Sequence, residues 1–349
     1  MKKFFLLAAL VGVALTGCMK NEVYVPKCDA PISFEVANYV EQTRAYGAFD
    51  TAKTFGVNAW SRDAAASSSV QMMTNQVVSY VDGKWKTETT YYWPINGTVD
   101  FIAYYPTSVV PTIVHKYEGG DTYTYTNYTV EPVADGVDLM YADKAIRYSE
   151  NVGAFGFTGV PTFFRHALAK VNFKVQNANP TDGVYSYDIK VNSITLNVYN
   201  QGSVTLTSAG TNTASLGSWS VDKNVWTPTT GSSKVDLIWT EAVTLSDGTV
   251  TPYNATKLQY VLPQTLVAGD QKITVDYTVT QYQTISGVKT KISEQTYEPT
   301  LDLRSDLLPH WEMNKNITYT IALSSIGTQI LFAPAVEEWG TASGNVTIQ

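Results

Sequence analysis

Thr122-Tyr123-Thr124-Tyr125-Thr126 decides the fold class. Successive side chains on a strand point to opposite faces, so Tyr123 and Tyr125 share one face and the three threonines the other. The same period of two recurs along the chain, at Ile32, Phe34 and Val36, at Val99, Phe101, Ala103 and Tyr105, at Val171, Phe173 and Val175, and at Ile273, Val275, Tyr277 and Val279. Thr54 to Trp60 reads as another short strand. Val77 to Val81 and Trp85 to Tyr91 flank Asp82-Gly83, a pair that supplies the positive φ of a two-residue hairpin turn. Asn96-Gly97, Glu118 to Asp121 and Asn200-Gln201 are further breaks, and 208–213 and 227–233 read as loops. Only Asp302 to Trp311 suggests a helical turn. With 23 tyrosines and only 16% charged residues, the composition suits half-buried pleated surfaces and not long solvated helices. The expectation is all-β.

The chain has 349 residues and 44% apolar content, ample for a buried core and long enough for two domains. About seven short strands per half, separated by turn signals, predict two β-sandwiches in tandem, with a closed barrel as the alternative. The composition changes little along the chain, so the boundary near residue 160 rests on pattern and length. A net charge of −7 without a lysine or arginine run makes nucleic acid and anionic lipid surfaces poor partners.

The N-terminus carries an address. Lys2 and Lys3 precede the apolar run Phe4 to Leu15, which is too short to span a bilayer and ends in Leu15-Thr16-Gly17-Cys18. This resembles the signal and lipobox of bacterial lipoproteins, in which the cysteine receives a diacylglycerol and becomes the first residue. Cys18 is therefore the expected lipidation site, and Cys28 is left without an intramolecular partner. Lys20 to Pro31 reads as a tether. The short strand Ile32 to Val36 follows, then Thr43-Arg44-Ala45, where an arginine-specific protease could cut.

Motifs for chemistry are missing. His115, His166 and His310 stand apart with no metal-ligand spacing, so each reads as structural or exposed. Glu337 and Glu338 are adjacent, which on a strand sends them to opposite faces instead of onto one bond. Gly340 to Gly344 has the wrong order for a nucleophile elbow. No catalytic residue, metal site or cofactor is expected. Tyr91, Trp93, Tyr123 and Tyr125 are candidates for stacking on sugar rings, with core packing as the competing reading. A surface glycan-binding lipoprotein is accordingly the alternative function.

Several pieces together resemble the fimbrillins of the Bacteroidetes, the subunits of type V pili. They are the lipobox at Cys18, ISFEVA (32–37) followed by Thr43-Arg44-Ala45, TFGVNAW (54–60), FRHALAKVNFKV (164–175), and the ending Trp311, Tyr319 to Leu323 and Val336 to Trp339. The resemblance implies two transthyretin-like, Greek-key β-sandwich domains, export to the outer membrane as a lipoprotein, and a place in a surface-exposed fimbrium alongside other pilin subunits, with a host or bacterial surface ligand possible. It also implies cleavage after Arg44. The resulting layout is a signal peptide at 1–17, a tether and removable first strand at 18–44, an N-terminal sandwich at 45–160, and a C-terminal sandwich at 161–349. Removing 18–44 withdraws Ile32, Phe34 and Val36, on the order of 5 to 9 kcal/mol of apolar burial before ordering costs. A strand from another subunit would then fill the slot by β-strand addition. The implied donor is the tail Ala335 to Gln349, in which Val346 and Ile348 alternate with polar residues.

Overall fold

The computed structural model describes residues 26–40, 45–63, 65–94, 97–131, 137–149, 159–180, 182–208, 210–211, 226–246, 248–253, 259–325 and 331–338. Among them every regular element is a strand. The all-β expectation is met. The signal, Cys18, Arg44, Val346 and Ile348 lie outside the described residues.

The N-terminal half is built on one sheet whose hydrogen-bonded path closes on itself. Thr98–Tyr105 pairs with Phe55–Arg62, then follow Val70–Val81, Lys84–Thr87, Phe34–Val40, Val160–His166 and Met140–Ala142. Met140–Ala142 completes the circuit, because Met140 faces His166 on one side and Tyr105 on the other. Inside lies an aromatic core that includes Phe34, Phe49, Phe55, Trp85, Phe101 and Phe164. Asp82 and Gly83 have φ of 52° and 77°, the left-handed pair that closes the Val70–Val81 and Lys84–Thr87 hairpin.

Thr98–Tyr105 is buried on both faces. Val99, Phe101 and Ala103 face the aromatic core, while Ile102 and Tyr104 belong to a second apolar layer. That layer is covered by a four-stranded sheet of Thr112–Val114, Thr122–Thr129, Gln201–Thr207 and Thr227–Pro228. Tyr123 and Tyr125 face into it, as alternation requires, and Tyr128 joins them against Trp226 with ring centroids 5.7 Å apart. Strict alternation would turn Tyr128 away. A bulge between Tyr125 and Tyr128, with Asn127 at φ 52°, resets the phase.

The halves are interleaved. Gln201–Thr207 pairs with Thr122–Thr129, and Val160–His166, buried at all seven positions, pairs with Phe34–Val40. A boundary at 160/161 therefore runs inside a strand that belongs to the first half. The 208–213 and 227–233 stretches, read as loops, contain the two-residue strands Gly210–Thr211 and Thr227–Pro228.

In the C-terminal half two sheets face each other. One contains Ala169–Asn177, Thr251–Tyr253, Gln259–Val261, Lys315–Leu323 and Leu331–Glu338, and the other is centred on Tyr185–Val198 and Lys272–Ile285. Ala169–Asn177 alternates buried and half-buried without a break, placing Val171, Phe173 and Val175 in the core. Trp311 is fully buried, and its Nε1–H donates to the Tyr319 hydroxyl at 2.8 Å. The helical turn expected at Asp302 to Trp311 does not form. Leu303, Leu308 and Trp311 enter the core from a strand end and a turn closed between Ser305 and Leu308. Pro309 also lacks the N–H that a helix would need there.

Candidate functional site: the N-terminal strand and its slot

The candidate site is the place of Phe34–Val40 in the closed sheet. Phe34 to Asn38 run parallel to Val160 to Phe164, five pairs in register, and Val160 N–H donates to the Ser33 carbonyl at 2.8 Å. On the other flank Phe34 pairs with Trp85, and Ala37 to Val40 pair with Ala48 to Ala45. The strand is thus held on both edges, by one continuous partner on the first and by two short partners on the second.

Ile32 and Phe34 are buried and Val36 is half-buried, so the residues read from alternation do share the inward face. The Phe34 ring meets Phe55 and Phe101 edge-on, with centroids 6.0 and 5.8 Å away. Ile32 N–H donates to the Tyr91 carbonyl at 2.8 Å, and Pro26–Pro31 pairs with Tyr92–Pro94. At the far end Ala45–Ala48 runs antiparallel to the same strand, with Val40 opposite Ala45. Arg44 immediately precedes Ala45–Ala48 in sequence and lies outside the described residues.

Gly159 shows how tightly the slot is built. A Cβ there would lie 2.8 Å from the Phe34 carbonyl carbon and 2.9 Å from the Ser33 oxygen, and backbone atoms cannot swing aside. Gly159→Ala is expected to destabilise the uncut chain by about 1 to 3 kcal/mol through overpacking. Limited proteolysis should show earlier loss of the N-terminal segment, and unchanged protection would remove Gly159 from the slot.

The stacking candidates fall mostly inside. Trp93, Tyr123 and Tyr125 are buried, so their ring faces are closed to a sugar. Trp93 packs on Phe101, the Tyr123 hydroxyl donates to the Ala142 carbonyl at 2.9 Å, and Tyr125 stacks on Trp226. Tyr91 is half-buried against the aromatic core.

Two histidines read as isolated turn out to have carboxylate partners. His166 Nδ1 lies 2.5 Å from Asp138 Oδ2, both buried. His115 belongs to a larger group that no sequence motif announces, together with Asp100, Asp121 and Lys144. Its members come from three separate segments, with His115 and Asp121 in one connection and Asp100 and Lys144 on different strands, so spacing carried no signal. His310 is exposed. Among the described residues no group of three or more histidine, cysteine or acidic side chains could hold a metal ion.

An all-β body whose first core includes side chains from its own N-terminal strand defines the class. The chain belongs to the fimbrillin-like family, whose sequence model matches residues 43–339. Among solved structures it is similar to a fimbrial protein from Bacteroides vulgatus, with 18% identity and a TM-score of 0.56 over 89% of this chain and 99% of that one. It is also similar to a candidate cell adhesion protein from Bacteroides uniformis, with 20% identity and a TM-score of 0.47 over 89% of this chain and all of that one. At such identities the first likeness speaks for the fold. A comparison with curated proteins finds no match.

Proposed function

We propose that this chain is a pilus subunit or adhesin of the cell surface, anchored in the outer membrane through Cys18 and activated for assembly by cleavage after Arg44. Loss of 18–44 takes away both Pro26–Pro31 and Phe34–Val40. The Val160–His166 edge and the cavity vacated by Ile32 and Phe34 are then free for a strand of another subunit, which would bring backbone hydrogen bonds to one edge and alternate side chains to the pockets. The observation that carries the reading is the insertion of Phe34–Val40 between Val160–His166 on one edge and Lys84–Thr87 with Ala45–Ala48 on the other, over a core that includes Ile32 and Phe34. Membership of the fimbrillin-like family supports it. The tail bearing Val346 and Ile348 is the proposed donor.

The test is treatment of the full chain with an arginine-specific protease, followed by unboiled SDS gels. SDS-resistant oligomers are expected, and Arg44→Ala should prevent them. Val346→Asp together with Ile348→Asp should leave cleavage intact and stop polymer growth. Stable cleaved monomers from the unaltered chain would sink the proposal. The glycan-binding alternative loses support from the burial of three of its four aromatic candidates.

A further inference from the structure

We propose that Lys144 and Asp121 become joined by an intramolecular isopeptide bond, with Asp100 carrying the protons. Lys144 and Asp121 have completely buried side chains, and Nζ lies 3.0 Å from Asp121 Oδ1. A second carboxylate, Asp100, is within 3.2 Å of the same Nζ and almost as deeply buried. This juxtaposition supplies a nucleophile, an electrophile and a proton carrier with no room for bulk water.

The surroundings complete the set. Lys116 N–H donates to Asp121 Oδ1 at 2.9 Å, where negative charge develops when the carboxyl carbon is attacked. His115 Nδ1 is 2.9 Å from Asp121 Oδ2, and its ring is held by stacking on Trp60 at 4.3 Å. Arg147 N–H fixes Asp100 through Oδ1 at 2.7 Å, leaving Oδ2 toward the lysine. Nζ is steered further by the Lys116 carbonyl. Holding the reacting groups in contact replaces a bimolecular condensation by a unimolecular one, which is what lets an amide form without an activated acyl group.

The balance is internal. The ammonium gives one proton through Asp100 to Asp121 Oδ2, making the free amine and the neutral carboxylic acid. The nitrogen lone pair then forms the Nζ–Cγ bond while the carbonyl pair moves onto Oδ1. A second proton passes from nitrogen to Asp100 and on to the Oδ2 hydroxyl, which leaves with the Cγ–Oδ2 bonding pair as water. Oδ1 restores the carbonyl, the third proton stays on the amide nitrogen, and Asp100 returns to carboxylate. No oxidant or co-reactant is required.

The bond would tie two layers together. Asp121 immediately precedes Thr122–Thr129 of the four-stranded sheet, and Lys144 begins Lys144–Tyr148, which pairs with Thr98–Tyr105 of the closed sheet.

Mass spectrometry of the full chain, denatured and then digested, tests the proposal. Trypsin should fail at Lys144 and release residues 117–147 as one peptide lighter by a water, whereas an unlinked chain gives 117–144 and 145–147. Chymotrypsin should leave 118–123 joined to 142–148, a species that excludes Asp135-Gly136 and so separates the cross-link from a cyclised aspartate in a linear peptide. Asp100→Asn keeps both joined residues and is expected to yield only linear peptides. Full tryptic cleavage after Lys144 in the unaltered protein would overturn the bond, and an undiminished cross-link in Asp100→Asn would overturn the role of Asp100. Lys144→Arg must abolish the linked species, and its persistence would assign it to other residues.

Discussion

Phe34→Ala is expected to cost the uncut chain about 3 to 5 kcal/mol, the usual loss for truncating a phenylalanine in a packed core. Phe34 is 5% exposed and meets two other rings edge-on, so its removal opens a cavity that the closed sheet can only partly collapse. It also weakens the strand at the one residue that pairs with Lys84–Thr87. Urea unfolding should show a lower midpoint with little change in slope. The discriminating half of the experiment uses protein cleaved after Arg44 and freed of the N-terminal segment. There the substituted residue is gone, and the original and altered chains must behave identically. A small effect in the uncut chain would mean that the slot does not need its plug.

Above pH 10 the protein is expected to unfold steeply. Burial pushes the hydroxyls of Tyr123 and Tyr125 well above the usual tyrosine range, and burial likewise raises Tyr319, partly offset by the hydrogen bond from Trp311. In the unfolded chain these groups ionise near pH 10, whereas in the folded chain they stay protonated. The unfolded state therefore binds fewer protons, and stability falls as pH rises through and beyond 10. Three such groups remove on the order of 4 kcal/mol per pH unit, enough to exhaust a typical stability of about 5 to 15 kcal/mol within two to four units. Lys170 works in the opposite sense at lower pH. Burial holds it down at about 8, so its cost is fully present below pH 8 and is relieved as pH rises toward the unfolded value. Stability should thus climb modestly from pH 8 and then break above 10, as followed by circular dichroism against pH. Tyr125→Phe is a sharp control. Its hydroxyl has no hydrogen-bond partner among the described residues, so the change should be neutral or stabilising at pH 7 while making the alkaline slope shallower. An unchanged slope would remove Tyr125 from the account.

Local pattern made much of this legible. Val171, Phe173 and Val175 alternate as written, Asp82-Gly83 turns as its chemistry demands, and Ile32 and Phe34 lie on the inward face. Alternation read Tyr123 and Tyr125 correctly, while Tyr128 reaches the same layer only because one extra residue in a bulge shifts the phase without any compositional mark. Asp302 to Trp311 misled, since its apolar spacing is compatible with a turn as well as with a helical face. Val160–His166 carries no alternation because both of its faces are covered, and so it could not be assigned to its sheet by period.

By itself, the sequence determined the strand as the unit of structure, the hairpin turn, the inward face of the first strand, and the candidate address and cleavage residues at Cys18 and Arg44. These depend on side-chain period and local backbone preference, which act over a few residues. Tertiary structure alone decided that Met140–Ala142 closes the circuit, that Phe34–Val40 lies parallel to a strand more than a hundred residues later, and that Lys144 meets Asp100 and Asp121. Such pairings join segments far apart in the chain, and their free energy comes from backbone hydrogen bonds and shared burial that no short stretch records. The site at the N-terminal strand lies where the two kinds of information meet. Its residues were visible in the sequence, and its slot exists only once the sheet has closed around it.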